Sequence, residues 1–363
     1  MTEMGTMYKT DRLYRKSKIG YDYAITFREE GPMKRMLAML VLVIFLLTGC
    51  SREEKPYRYI DYTLFDTVTT IVGYGPSEAE FTRQAERICE ELRRYHRLFD
   101  IYQEYYGIHN LKTVNDQAGA APVQVDEPIL TLLSDCRNYW ILTDKTVNPG
   151  MGSLLSLWHD ARQQALGDPL TAQIPSHAER MEARKHIDFQ NLQIDREHKT
   201  VYLQDQNMRL DIGAVAKGWA VEQVSKTAPE GLLISVGGNV CATGPKPDGT
   251  PWIVGLQNPD GEGYLETVEL TKGSAVTSGD YQRFFEAEGK RYHHIIDPDS
   301  TLPGEYWRSV TVLCPDSGLA DALSTALFLM DRDRGQKLLE TAGAEALWVD
   351  HQNQIYRSPG FPE

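Results

Sequence analysis

Three stretches of this chain combine residue types that do chemistry only when brought together. In Ala320-Asp321-Ala322-Leu323-Ser324-Thr325-Ala326, Asp321 and Thr325 are spaced i,i+4, which sets two hard oxygen donors on one helical face. The other residues there are apolar or small, so the carboxylate needs a partner. A hard cation such as Mg²⁺ is one solution; the other is helix capping by Asp321 or Ser317, with Thr325 bonded back to a carbonyl. In Arg209-Leu210-Asp211-Ile212-Gly213-Ala214-Val215-Ala216-Lys217-Gly218-Trp219, an acid and a glycine close a strand and an Ala-rich helix follows. Backbone N–H groups at such a start favour anions and Lys217 adds a point charge, though the run also reads as a plain strand-to-helix turn with a surface lysine. The third stretch pairs Ser278-Gly279-Asp280-Tyr281-Gln282-Arg283-Phe284 with Tyr292-His293-His294-Ile295-Ile296-Asp297-Pro298 through Glu288-Gly289-Lys290. Neighbouring strand residues face opposite ways, so only one of His293 and His294 can face a site. There a neutral imidazole accepts a proton from an attacking hydroxyl; elsewhere a lone histidine is structural.

Familiar alternatives are missing. The chain has no GxxxxGK[ST], no GxGxxG after a strand, no HExxH and no GxSxG, which argues against P-loop, dinucleotide-fold, zincin and hydrolase-elbow chemistry. Gly237-Gly238-Asn239 marks a sharp turn that brings backbone close to a ligand or to a neighbouring segment.

The elements that must position these residues follow from periodicity. Tyr59–Tyr74 is β-branched and ends in glycines, predicting a strand. Ser77–Phe99 has apolar positions at Phe81, Ala85, Ile88, Leu92 and Leu98, predicting an amphipathic helix; Pro128–Leu142 and Thr171–Arg184 read as two more. From Gln190 short strands dominate, at Leu192–Ile194, Val201–Leu203, Leu232–Val236, Trp252–Leu256, Tyr264–Leu270 and Ser309–Leu313. Helices interrupt them at Ala214–Thr227, Leu319–Met330 and Arg332–Thr341. No repeat or Pro/Gly linker divides residues 51–363, so the expectation is one α+β domain.

The 363 residues carry 38 Lys+Arg and 51 Asp+Glu. Eight of the basic and five of the acidic residues precede Ser51, leaving residues 51–363 with 30 against 46, a formal charge of −16. Such a body repels nucleic acid, which is not expected as a partner, and a metal cation is expected to mediate any contact with a phosphorylated ligand. Met33-Lys34-Arg35 is followed by twelve uncharged residues, Met36 to Leu47, and then Leu47-Thr48-Gly49-Cys50. Twelve suits a signal sequence, whereas a spanning helix needs roughly 20. The run resembles the lipobox of bacterial lipoproteins. It implies a signal peptide over 33–49, a lipidated Cys50, translation from Met33, and an extracytoplasmic protein held to the bacterial cell membrane by lipid. The four remaining cysteines form no CxxC pair and read as buried free thiols.

Taken in order, FDT (65–67), NLKTVN (110–115), KTVNPGMGSLLSLW (145–158), DIGAVAKGWAV (211–221), SVGGNV (235–240), TSGDYQRFF (277–285), HHIIDP (293–298) and ADALSTALF (320–328) resemble the ApbE family of flavin transferases, over nearly the whole body from Phe65 to Met330. The resemblance implies a single mixed-sheet, T-fold-like α+β domain. It also implies an enzyme that binds FAD and Mg²⁺ and moves FMN onto a Thr or Ser hydroxyl of an exported electron-transfer flavoprotein, releasing AMP. By the same resemblance Ala214 (through its carbonyl), Asp321 and Thr325 are the metal ligands. Phe65, Tyr102, Thr146, Val147, Asn148, Asp211, Lys217 and Ile295 contact FAD, and His294 is the general base. Many members have Gly-Ala-Phe-Asp-Pro-Thr where this chain has Lys145-Thr146-Val147-Asn148-Pro149-Gly150, a subfamily variation in which Lys145 is positioned to add to phosphate binding. The competing functions are hydrolysis of FAD to FMN and AMP in the same site, and a non-catalytic flavin-binding lipoprotein.

Overall fold

A computed structural model describes residues 55–362, so the leader and Cys50 lie outside the described residues. The frame is an eight-stranded sheet of β1 (Tyr57–Leu64), β2 (Thr67–Gly73), β3 (Leu232–Val236), β4 (Asn239–Ala242), β5 (Gly273–Gly279), β6 (Ser309–Cys314), β7 (Glu345–Val349) and β8 (Ile355–Arg357). Spatial order equals chain order and every ladder is antiparallel, so the sheet is a meander with insertions hung between its strands. The helices are α1 (Glu78–Phe99), α2 (Leu111–Asp116), α3 (Glu127–Leu142), α4 (Gly152–Gly167), α5 (His177–Arg184), α6 (Ala216–Thr227), α7 (Ser317–Phe328) and α8 (Arg332–Ala342).

Both faces of β6 and β7 are covered, which is why these two strands are apolar on both sides, whereas the edge strand β1 alternates and exposes Ile60 and Tyr62. On β7, Ala346 and Trp348 enter the helical core, while Leu347 and Val349 pack under the hairpin of Trp252–Gln257 and Tyr264–Leu270. On β5, Val276 and Ala275 divide the same way. The four cysteines are free and buried, as expected.

Three expectations need correction. Tyr59–Tyr74 is not one strand but the β1–β2 hairpin, in which Leu64 pairs with Thr67 across a two-residue turn. That turn holds Phe65 at φ 52° and Asp66 at φ 51°, a conformation normally signalled by Asn-Gly, so the pattern hid it. A bulky aromatic in left-handed backbone is strained. Here the Phe65 N–H donates to His96 Nδ1 at 3.1 Å, which helps to hold it. The helix expected at Thr171–Arg184 spans only His177–Arg184, because Pro175 keeps the preceding residue extended and Ser176 with Glu179 forms a capping box. Finally, the helices α2 and α4 and the strands β4, β5, β7 and β8 are not anticipated by the sequence pattern. The strands are short, and β5 is largely Gly, Ser, Thr and Ala, too weak a pattern to read.

Candidate active site between two helix starts and a hairpin

The floor of the site is the crossing of α6 and α7. Their approach depends on Gly218: a Cβ there would stand 2.3 Å from the Ser317 carbonyl oxygen and 2.5 Å from the Asp321 Cβ. Close contact lets the Gly218 N–H donate to Asp321 Oδ2 at 2.8 Å, and Asn239 Nδ2 donates to the same oxygen at 3.0 Å. Lys217 Nζ stands 3.6 Å from it. In a regular helix the N–H of residue 218 would go to the carbonyl of residue 214. Because it is diverted to Asp321, the Ala214 carbonyl accepts no hydrogen bond among the described residues. Asp316, not Asp321 or Ser317, caps α7, its carboxylate accepting from the Leu319 N–H at 2.8 Å. Back-bonding in this helix belongs to Ser324, which donates to the Asp321 carbonyl at 3.0 Å, while the half-buried Thr325 hydroxyl has no partner among the described residues. A carbonyl, a carboxylate with Oδ1 uncommitted and a free hydroxyl are thus left where α6 and α7 meet. No cluster of three or more His, Cys, Asp or Glu suited to a metal occurs among the described residues. A hard cation would therefore be held by this mixed oxygen set, which suits Mg²⁺ better than a thiophilic or imidazole-seeking metal.

The turn leading into α6 is pinned from behind. Asn115, at the end of the NLKTVN run, clasps Leu210 with both ends of its amide, donating to the carbonyl at 3.0 Å and accepting from the N–H at 2.7 Å. The Asp211 N–H donates to the Pro149 carbonyl and the Gly152 N–H to the Arg209 carbonyl, each at 2.9 Å, which fastens the 146–152 loop alongside. Asp211 Oδ1 accepts from the Gly213 N–H at 2.9 Å, and Lys217 Nζ donates to the Gly213 carbonyl at 3.2 Å. Surrounding protein desolvates the Asp211 carboxyl and raises its pKa, opposed by the Gly213 N–H and by His159, Arg283 and Lys217. Arg283, Lys217 and the His159 ring therefore share one electrostatic neighbourhood with Asp211.

The opposite wall is the hairpin Phe284–Ala287/Lys290–His293 and its flanks. The two histidines divide as strand geometry requires. His293 is buried, its Nε2 donating to the Gly304 carbonyl at 2.8 Å and its Nδ1 accepting from the Ile295 N–H at 3.3 Å, and it is structural. His294 is exposed, its backbone N–H donating to the Arg283 carbonyl at 3.1 Å. Desolvation, followed by Arg283, His293 and Lys217, holds its imidazole below the usual range and so neutral at pH 7. Tyr102, 52% exposed, stacks on His159 of α4 with ring centres 5.1 Å apart. Its phenol is pushed up to about 12 by desolvation, then Asp211, with Arg283 and Arg162 opposing.

The remaining expected contacts divide. Phe65 is two residues before Thr67, which lies against the Gly237-Gly238 turn: a Cβ on Gly237 would meet Thr67 Oγ1 at 2.6 Å, and the next residue, Asn239, reaches Asp321. Ile295 and Val147 are buried in the helical core, and Thr146 is half-buried. Asn148 is an internal clip, donating to the Ile187 carbonyl at 2.8 Å and accepting from the Gly150 N–H at 2.9 Å. Lys145 does not project freely: its ammonium sits 5.2 Å from the centre of the Trp140 ring. A surface cavity of about 690 Å³, lined in part by Arg137, Trp140, Phe189 and Arg196, holds none of the residues assembled around Asp321, Asp211 and His294. Sequence reasoning missed Gly218, Asn239, His159, Arg162 and Arg283 as members of the site. Each lies inside or next to a quoted motif, but none has a residue type that announces its role.

The fold is an antiparallel α+β meander whose insertions carry an oxygen-donor set, a lysine and a neutral histidine. The chain belongs to the ApbE family, whose model matches residues 65–348. It is 33% identical over 273 residues to the FAD:protein FMN transferase of Treponema pallidum, covering 69% of this chain and 73% of that one. To the transferase of the same name from Klebsiella pneumoniae it is 30% identical over 283 residues, covering 76% and 84%. Among solved structures, the ApbE protein of Thermotoga maritima superposes with a TM-score of 0.75 at 31% identity, over 84% of this chain and 97% of that one. The expected α+β domain is borne out.

Proposed function

We propose that this chain transfers the FMN half of FAD to a Thr or Ser hydroxyl of an exported, electron-transfer flavoprotein and releases AMP, with Mg²⁺ bound. The names of the relatives above support flavin transfer to protein as the reaction class. The observation that carries the chemistry is the diversion of the Gly218 N–H to Asp321, which ties the start of α6 to Asp321 and leaves the Ala214 carbonyl without a donor among the described residues, as the Thr325 hydroxyl is without a partner. These three would hold the ion, which supplies charge neutralisation at the pyrophosphate when bound.

The other residues bind, orient and move a proton. Lys217, braced on Gly213 and Asp321, offers its ammonium to a phosphoryl oxygen. Tyr102 presents a ring face already stacked on His159, and Asp211 and the Phe65 turn bound the same space. The acceptor oxygen attacks the phosphorus of the FMN half, and the bond from that phosphorus to the bridging oxygen breaks. AMP leaves with the bridging oxygen, and the hydroxyl proton passes to the neutral ring of His294. We further propose that this chain is itself exported and held to the membrane by lipid on Cys50, a reading supported by the run from Met33 to Cys50.

The test is intact mass spectrometry of a candidate acceptor domain incubated with the protein, FAD and Mg²⁺. The expected result is a gain of one FMN phosphoester that EDTA abolishes and fresh Mg²⁺ restores. Free FMN with an unmodified acceptor would instead assign hydrolysis, and unchanged FAD would assign a binding protein.

A further inference from the structure

Two arginines at the site have no counter-ion among the described residues. Helix α4 lies against the 284–293 hairpin through Trp158, whose ring centre is 6.4 Å from that of Phe285 and 5.9 Å from that of Tyr292. Arg162 follows Trp158 by four residues and His159 by three, so it shares the helix face that meets the hairpin and stacks on Tyr102. Arg283 begins the hairpin, and its carbonyl accepts the His294 N–H at 3.1 Å, which sets Arg283 beside the proposed base. Neither guanidinium makes a side-chain hydrogen bond or ion pair among the described residues, although Arg162 is half-buried and residues 51–363 carry 46 acids. Burial and the charge of Arg283 pull the Arg162 pKa down, as two like charges left to face each other require.

We infer that Arg162 and Arg283 form a two-pronged anion clamp that takes the pyrophosphate of the dinucleotide substrate from the side opposite Lys217 and Asp321. The inference rests on the FAD reading above. A guanidinium fork matches phosphoryl oxygens bidentately; Arg162, half-buried and without a partner among the described residues, costs free energy that a bound anion returns, and the exposed Arg283 supplies the second fork. A phosphate is favoured over an acceptor carboxylate because Arg283 shares the neighbourhood of Asp211, Tyr102 and His294, inside the site.

The test compares two ligands with the same ring. FAD and riboflavin are titrated by flavin fluorescence against the full chain with Mg²⁺, in a His294→Ala background that keeps FAD intact, with and without Arg162→Gln, Arg283→Gln and both. The clamp predicts that each change weakens FAD about tenfold or more, as loss of a charged hydrogen bond does, and leaves riboflavin unchanged. It also predicts a shallower salt dependence for FAD in the double variant. Equal loss of both ligands would overturn the clamp in favour of ring packing. Unaltered FAD binding there, with a raised KM for the acceptor when the same arginine changes are made with His294 intact, would overturn it in favour of acceptor recognition. A parent protein that bound neither ligand would instead sink the FAD reading itself.

Discussion

The two sides of the site are built on opposite terms. On the α6–α7 side, Asp321 is buried and meets Gly218, Asn239 and Lys217, so the functional groups are also fold-holding groups. On the hairpin side, the rings of His294 and Tyr102 and the guanidiniums of Arg283 and Arg162 reach the site with almost no protein hydrogen bonds, and the structural work passes to neighbours such as His293 and Trp158. One wall should therefore lose stability and activity together, the other activity alone.

Asp321→Ala is the severest way to probe that split. It leaves the Gly218 N–H and the Asn239 amide unsatisfied, each costing about 1–3 kcal/mol, and deletes the carboxylate ligand, so transfer should vanish while denaturant midpoints fall. A stable but inactive Asp321→Ala would erase the difference between the walls. His294→Ala should lower the transfer rate roughly 10²–10⁴-fold while stability stays within about 0.5 kcal/mol, because the ring holds nothing in place. A large drop in Tm would show that it does. Gly218→Ala forces a Cβ to 2.3 Å from a carbonyl oxygen and should cost about 1–3 kcal/mol by urea melt, with activity reduced as α6 and α7 part.

The smallest effect is in pH. Since desolvation, the charges of Arg283 and Lys217 and the neighbouring His293 hold the His294 pKa down, the base stays unprotonated below the ordinary 6.5 and is lost only as pH falls through its depressed value. The acid limb of kcat/KM should lie below 6.5 and move upward in Arg283→Gln, which removes one of the depressing charges. A limb at or above 6.5 in the parent protein would contradict the assignment.

What the sequence disclosed tracks how local each signal is. Asp321 and Thr325 at i,i+4, the split of His293 from His294, and the helix starting after Gly213 rest on short-range periodicity, and all appear as expected. The capping role escaped because Asp316, Ser317 and Asp321 are all competent, and only tertiary packing commits Asp321 to Gly218. The Phe65-Asp66 turn escaped because it uses left-handed backbone without glycine or asparagine. Arg162 and Arg283 escaped because a guanidinium without a partner looks, in sequence, like any surface arginine.

The most direct test of the account is to follow turnover by ³¹P NMR with protein, Mg²⁺, FAD and an acceptor domain. The account predicts that the FAD pyrophosphate signals give way to AMP and a phosphodiester on the acceptor. An FMN monoester signal with no diester would contradict transfer.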